Sequence, residues 1–205
     1  CSQSRGLGDV YKRQMEEIEI RIFDFVTNDS FDEGFEIQIF GINENRETFS
    51  IHIDDYLPFV YILVGDDWKQ DDADDFIKHL KNPKEVEQSL ATISKSSIVK
   101  HELVRKKKLY GFDANREHNF ICIYSKNTMF INKLKSLYYD REKQHVNDGY
   151  FHNGVYTKIY ETMIPPLLRF FHIQTISPSG WVKIPNDKIS PLSLIHISEP
   201  TRLAT

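Results

Sequence analysis

Three successive runs alternate apolar and polar residues with a period of two, and that period commits them to strands. In the first, Ile18, Ile20, Ile22 and Asp24 share one side, with Glu19, Arg21 and Phe23 on the other. In the second, Phe35, Ile37, Ile39 and Gly41 alternate with Glu36, Gln38 and Phe40; in the third, Phe49, Ile51 and Ile53 face one way. Turn-forming residues fill 28–34 and 43–46 between them, so the three runs predict an antiparallel meander. Tyr56-Leu57-Pro58 breaks the pattern, and 59–64 is a continuous apolar run. Such a run predicts a strand buried on both faces.

After Gly65 the texture changes. Asp66, Asp67, Asp71, Asp72, Asp74 and Asp75 precede Phe76, Ile77 and Leu80. Acidic residues in a first turn favour the positive end of a helix, which predicts a helix over 71–80. A second short helix is expected over 83–90, with Pro83 at its first position. Residues 97–112 read as a strand turning at 111–115, and 119–125 as a buried strand. Asn127 or Thr128 is placed to cap a helix carrying Met129, Phe130, Ile131, Leu134, Leu137 and Tyr138. Residues 146–156 are polar and contain Gly149 and Gly154, a loop or short hairpin. From residue 59 the order is strand, helix, strand, strand, helix, which is the ferredoxin-like order. The fold class is therefore α+β, a meander followed by a ferredoxin-like β-α-β-β-α unit.

Hydrophobic residues make up 40% and aromatics 13% of the 205 residues, enough for a sizeable aromatic-rich core. The net charge of -4 excludes a general polyanion binder, so any nucleic-acid contact must be a local patch. Cys122, between Ile121 and Ile123, has only Cys1 as a possible partner, and nothing points to an oxidising compartment. No apolar run approaches the ~18 residues of a membrane span. The expected location is intracellular.

Few side-chain groupings suggest chemistry. The aspartates at 66–75 lack a calcium-loop spacing, and they cannot all face one point; they read as a solvated helix start. The dense basic run is Arg105-Lys106-Lys107-Lys108, preceded by Lys100 and followed by Tyr110 and Phe112. On a strand, Lys106 and Lys108 share a face with Tyr110 and Phe112, a pattern able to track a single strand and stack a base. Lys106, Lys107, Lys108 and Tyr110 are the expected nucleic-acid contacts. Arg169, between Leu168 and Phe170, reads as a buried cation paired with Glu161. His145 and His152 have no metal spacing around them.

The block Tyr160-Glu161-Thr162-Met163-Ile164-Pro165-Pro166-Leu167-Leu168-Arg169-Phe170-Phe171, followed by Trp181-Val182-Lys183-Ile184-Pro185, is the specific motif of the chain. It resembles the segment leading into the exonuclease domain of delta-like family B DNA polymerases. There a Tyr-Glu-Ser/Thr-x-Ile-Pro start, a Leu-Arg-Phe helix and a Trp-Ile/Val-x-Ile/Leu-Pro strand follow in this order. Two weaker motifs agree: Tyr56-x-Pro58-Phe59-x-Tyr61, and Lys106-Lys107-Lys108-Leu109-Tyr110-Gly111-Phe112. Pro166 and Leu167 depart from the family, whose members tend to carry an aromatic and an acidic residue there. The resemblance implies a polymerase amino-terminal domain over 15–158 and the start of an RNase H-like exonuclease domain over 159–190. Tyr160, Glu161, Ile164, Pro165, Arg169, Phe170 and Trp181 are then structural motif residues.

The same resemblance implies a parent enzyme that extends a primer with magnesium and proofreads. Its catalytic carboxylates lie beyond these residues, and no cofactor or metal belongs to this part. The implied partners are template-primer DNA and the exonuclease and palm domains of the same polypeptide, with no membrane. Asp24 does not supply the exonuclease carboxylate, because Val26 stands where the second acidic residue is required. Residues 1–14 and 191–205 resemble translated sequencing-adapter sequence; without them 22 basic residues face 28 acidic ones, once Arg5, Lys12, Arg13, Arg202, Asp9 and Glu199 are removed. The Asn- and Lys-rich, Gly-poor texture suggests a large DNA virus or a protist, hence a host nucleus or cytoplasmic replication site. The rival readings are a stand-alone single-strand-binding module of ferredoxin-like fold, and an accessory protein without a nucleic-acid role.

Overall fold

The computed structural model describes residues 17–108, 113–140, 142, 144–146, 148–185 and 189–191. In chain order the elements are β1 (Glu17–Ser30), β2 (Gly34–Ile42), β3 (Thr48–Ile53), β4 (Phe59–Leu63), α1 (Gln70–Leu80), α2 (Gln88–Ser97), β5 (Ile98–Lys107) and β6 (Glu117–Ser125). Then come α3 (Thr128–Leu134), a 3-10 turn (Lys135–Leu137), β7 (Tyr150–His152), β8 (Val155–Tyr160), α4 (Pro166–Gln174), β9 (Trp181–Pro185) and β10 (Ile189–Pro191). The fold is mixed α and β with mostly antiparallel sheets. The described residues form two compact units, one from 17–26, 38–52 and 176–191, the other from 27–37 and 53–175.

The first sheet has the order β10-β3-β2-β1-β9, so the three alternating runs are neighbours as a meander requires. In the smaller unit, Ile20, Ile22, Ile39, Phe49 and Ile51 are buried, while Phe23 on the opposite side is exposed. Residues 181–185 pair antiparallel with 17–21, Trp181 opposite Arg21. Residues 189–191 pair with 49–51. Gly41 lies against Ile20, whose side chain leaves no room for a Cβ.

The second sheet has the order β5-β6-β4-β8-β7. One face carries the core of the larger unit: Val60, Ile62, Ile121, Ile123 and Ile159 pack with Phe76, Leu80, Leu90, Phe130 and Leu134 from α1, α2 and α3. Tyr138 is fully buried and its hydroxyl lies 3.0 Å from Thr157 Oγ1, which donates to the Tyr150 carbonyl at 2.9 Å. That chain of bonds satisfies the polar atoms a buried tyrosine brings inside.

Three local expectations are corrected. The apolar run at 59–64 is not buried on both faces: Val60, Ile62 and Val64 are buried, whereas Phe59, Tyr61 and Leu63 are only half covered. The open side is occupied by aromatic rings, so composition alone conceals the alternation. The helix expected at 83–90 begins five residues later. Asn82 takes the chain through a turn instead, its carbonyl accepting from Glu85 and Val86 and its side-chain oxygen from the Lys84 N–H. The helix then runs over Gln88–Ser97 and buries Leu90, Ala91, Ser94 and Ser97, a stripe of mostly small residues that carries little hydropathic signal. Neither Asn127 nor Thr128 caps α3 with its own side chain. The Asp29 carboxylate, from 99 residues away, accepts from the Thr128 N–H at 3.1 Å and from its hydroxyl. Where a loop or a short hairpin is expected within 146–156, β7 and β8 form a hairpin that turns at Asn153 and Gly154, both at positive φ.

Candidate nucleic-acid interface

The face of the second sheet opposite the helices is built by register. Lys100, Tyr124 and Phe59 lie side by side across β5, β6 and β4. In the next row stand Glu102, Cys122, Tyr61 and Tyr160. Val104, Phe120, Leu63 and Lys158 make the third, and Lys106 pairs with His118 beyond it. Alternation places these side chains on one surface because each sits two residues from the next on its own strand. The rings are mutually tilted or edge-on: Phe59 to Tyr61 at 5.4 Å, Phe59 to Tyr124 at 5.3 Å, Phe120 to Tyr160 at 5.6 Å. Edge-to-face contacts of this length suit the ring quadrupoles.

Two lysines lie on these rings. Lys100 Nζ is 4.2 Å from the Tyr124 ring centre, a cation over an aromatic face. Lys106 Nζ is 4.7 Å from the Tyr61 centroid and donates to its hydroxyl at 2.7 Å. The hydroxyl contact is the stronger of the two, because the nitrogen lies towards the ring edge. This hydrogen bond, opposed in part by burial, holds the Lys106 ammonium above its ordinary pKa, so the charge persists. Burial raises Tyr61, with Lys106 partly countering it. Tyr124 is raised further, by burial first and then by its hydrogen bond to Glu102 at 2.6 Å. All three groups therefore keep their neutral-pH charge states.

Helix α4 stands beside one end of this face. Pro166 opens it at a position where the missing N–H costs nothing. Thr175 ends it in the left-handed region. Arg169 is buried, 6% exposed, with its guanidinium 4.4 Å from the Phe59 ring centre. It makes an ion pair with Glu161 at 2.9 Å and donates to the carbonyls of Glu161, at 2.7 Å, and Phe59. The Phe170 ring meets Tyr56 edge-on at 5.3 Å. Burial lifts the Tyr56 hydroxyl to about 12. An open cleft of about 910 Å³ separates α4 from the sheet face, with Ile164, Leu168 and Ile173 on one wall and Tyr61, Lys100 and Lys106 on the other.

The expected site residues are not all brought together. Lys106 lies on the aromatic face, as just described. Lys107 projects from the alternate face of β5, the side that His101 uses to reach Asp74 of α1 at 2.7 Å. Lys108 follows the end of β5. Tyr110, with Gly111 and Phe112, lies outside the described residues. Of the motif residues, Tyr160 is on the sheet face and Glu161, at φ 62°, bends the chain away from β8. Pro165 precedes α4, Ile164 lines the cleft, Phe170 and Arg169 are buried, and Trp181 is half exposed in β9. The face also gathers Phe59, Tyr124, Tyr160 and the buried Phe120, which lie outside the basic run, together with Lys100. Their signal was aromatics in one alternation phase of two neighbouring strands, 59 and 61 against 120 and 124, with Cys122 between the latter two.

Residues 55–132 match the family model for the DNA polymerase delta catalytic subunit-like amino-terminal domain. The chain is 43% identical over 165 residues to a DNA polymerase of Phaeocystis pouchetii virus, a match covering 77% of this chain and 15% of that protein. It is 23% identical over 170 residues to the DNA polymerase delta catalytic subunit of Schizosaccharomyces pombe, covering 81% and 14%. The fold is similar to that of the family B DNA polymerase from the hyperthermophilic archaeon Pyrobaculum calidifontis, with a TM-score of 0.54, 14% identity, and 80% of this chain and 17% of that one covered. The chain is similar to the amino-terminal region of family B DNA polymerases, and residues 55–132 to its delta-like domain. It spans about one seventh of the length of these two relatives.

Proposed function

We propose that this chain is the non-catalytic amino-terminal part of a DNA-directed DNA polymerase, and that its aromatic sheet face guides the single-stranded template. The observation that carries the second half is the placement of Lys100 over Tyr124 and Lys106 at Tyr61 on one open surface. Cations beside half-exposed rings such as Tyr61 and Tyr124 suit a strand bound without reading its sequence: phosphates meet ammonium groups, and bases stack at about 1–3 kcal/mol each. Lys107 and Lys108 add charge near the end of β5. The parent activity is primer extension with magnesium, together with 3′–5′ proofreading; both sets of carboxylates lie outside these residues. Similarity to that family supports this, because relatives at 43% and 23% identity carry the names DNA polymerase and DNA polymerase delta catalytic subunit.

Residues 159–190 are read as the lead-in to an RNase H-like exonuclease domain, on the strength of the motif from Tyr160 to Pro185. The ferredoxin-like reading of the larger unit is supported by the order β5-β6-β4-β8 and by the packing of α1, α2 and α3 on one face of that sheet. The partners are then template-primer DNA and the exonuclease and palm domains. The working location is the host nucleus or a cytoplasmic replication site.

Fluorescence anisotropy of the whole 205-residue chain with a labelled oligo-dT tests the face. Replacing Lys100 and Lys106 by alanine lowers the salt slope by about 1.4, two phosphates at about 0.7 each on a single strand. An unchanged slope refutes the template-guiding role. Magnesium-dependent degradation of a single-stranded primer by this chain refutes the non-catalytic assignment.

A further inference from the structure

A second cluster lies on the opposite side of the larger unit's core, where β7 meets α1. His152, the last residue of β7, is 8% exposed and packs between Trp68 and Phe76, at ring distances of 6.1 and 5.1 Å. Its ring lies 4.4 Å from that of His79 on α1. His79 is occupied on both nitrogens, Nδ1 by the Glu85 carboxylate and Nε2 by the Tyr150 hydroxyl at 2.6 Å. His152 Nε2 is buried without a hydrogen-bond partner, and Asp75 Oδ2 stands 3.6 Å away. Asn153, in the hairpin turn, donates to the same Asp75 oxygen at 2.9 Å. A buried imidazole inside an aromatic wall therefore sits at the junction of β7, its turn and α1.

We propose that the His79–His152 pair is an acid-sensitive latch: proton uptake by His152 loosens β7 and the Asn153–Gly154 turn from α1. The groups facing His152 are Asp75, Lys78 and His79 on α1, Glu85 in the turn after it, and Tyr150 on β7. Asp75 and Glu85 favour a charged ring. Burial comes first among the opposing effects and His79 second, and the net result is a depressed pKa. The latched form binds the proton less readily than the open form, whose imidazole titrates near the ordinary 6.5. Closure is complete above that pH and is lost as pH falls, by up to ten-fold per unit for one proton.

Hydrogen exchange of the whole chain, corrected for the intrinsic pH dependence of the amide rate, reads the latch. Peptides covering 148–157 lose protection between pH 7 and pH 5, by at most about ten-fold per pH unit, while peptides from β6 do not. His152→Phe, which fills the same wall without a titrating group, abolishes that difference; His152→Gln does the same with a polar, uncharged side chain. Equal pH sensitivity in wild type and either variant overturns the latch, as does constant hairpin protection in the wild type. If neither variant folds, the wild-type imidazole titration followed by NMR decides: protonation of His152 with hairpin protection unchanged overturns the proposal, and protonation coincident with its loss supports it.

Discussion

Replacing Arg169 by methionine tests what holds α4 against the sheet. Methionine fills much the same volume, so the loss is chiefly polar. The Pro58 carbonyl accepts from the Ser125 N–H on the β6 side, so alternation turns the Phe59 carbonyl towards β8. The β8 ladder begins only at Tyr61, and Arg169 supplies the donor beyond its end. Removing the guanidinium strips a donor from two carbonyls, Phe59 and Glu161, at about 1 kcal/mol each. The ion pair adds about 0.5–1 kcal/mol, discounted because Glu161 is 33% exposed and re-enters water readily. The ring contact with Phe59 adds about 0.5 kcal/mol. The sum is about 3 kcal/mol, or a fall of about 1.5 M in urea midpoint at an m-value near 2 kcal/mol/M. Fluorescence of the buried Trp68, in a Trp181→Phe background, reports on the larger unit alone. Glu161→Gln should cost under 1 kcal/mol, a cost that salt screens, whereas most of the cost of Arg169→Met should persist in high salt because it lies in the two carbonyls. If Glu161→Gln costs as much as Arg169→Met, or if the latter costs less than 1 kcal/mol, the carbonyls are not what Arg169 is there for.

Other outcomes follow from single features. Asp29→Ala removes the acceptor at the start of α3 and should cost about 1 kcal/mol by denaturant unfolding. Gly149, at φ 85°, would place a Cβ 2.1 Å from the Thr157 carbonyl, so Gly149→Ala should destabilise by more than 2 kcal/mol and raise exchange in the hairpin. Phe76→Ala opens a hole at a fully buried site and should cost about 3–5 kcal/mol by the same unfolding measurement. Burial pushes the Cys122 thiol up to about 11, so at pH 8 a thiol reagent should modify it only as fast as the sheet opens, and at once in denaturant.

Period-two alternation made β1, β2 and β3 legible, because each buries one face. The same rule misread 59–64, where Phe59 and Tyr61 supply apolar side chains to a surface rather than to a core. Helix α2 escaped because Ser94 and Ser97 bury as small residues, and hydropathy does not mark a serine that packs for its size. The cap of α3 is invisible to local reasoning: Asp29 is remote in sequence and adjacent only after folding. The candidate site was half legible for a related reason. A run of lysines stands out in sequence, but strand pleating sends Lys106 and Lys107 to opposite faces, and the surface is completed by Lys100 and by rings on β4, β6 and β8.

The two outer strands of the first sheet, β9 and β10, both come from 181–191, flanking strands that were made long before. Between Ile53 and Trp181 lie roughly 130 residues, which a ribosome adding ~5–20 residues per second makes in roughly 6–25 s. For that interval β1 and β3 present unpaired backbone on both margins, the geometry that invites strand addition from a neighbouring nascent chain. The larger unit has all its strands by residue 175 and escapes this exposure. Translation halted between 175 and 181 therefore leaves a protein with one finished unit and one adhesive one.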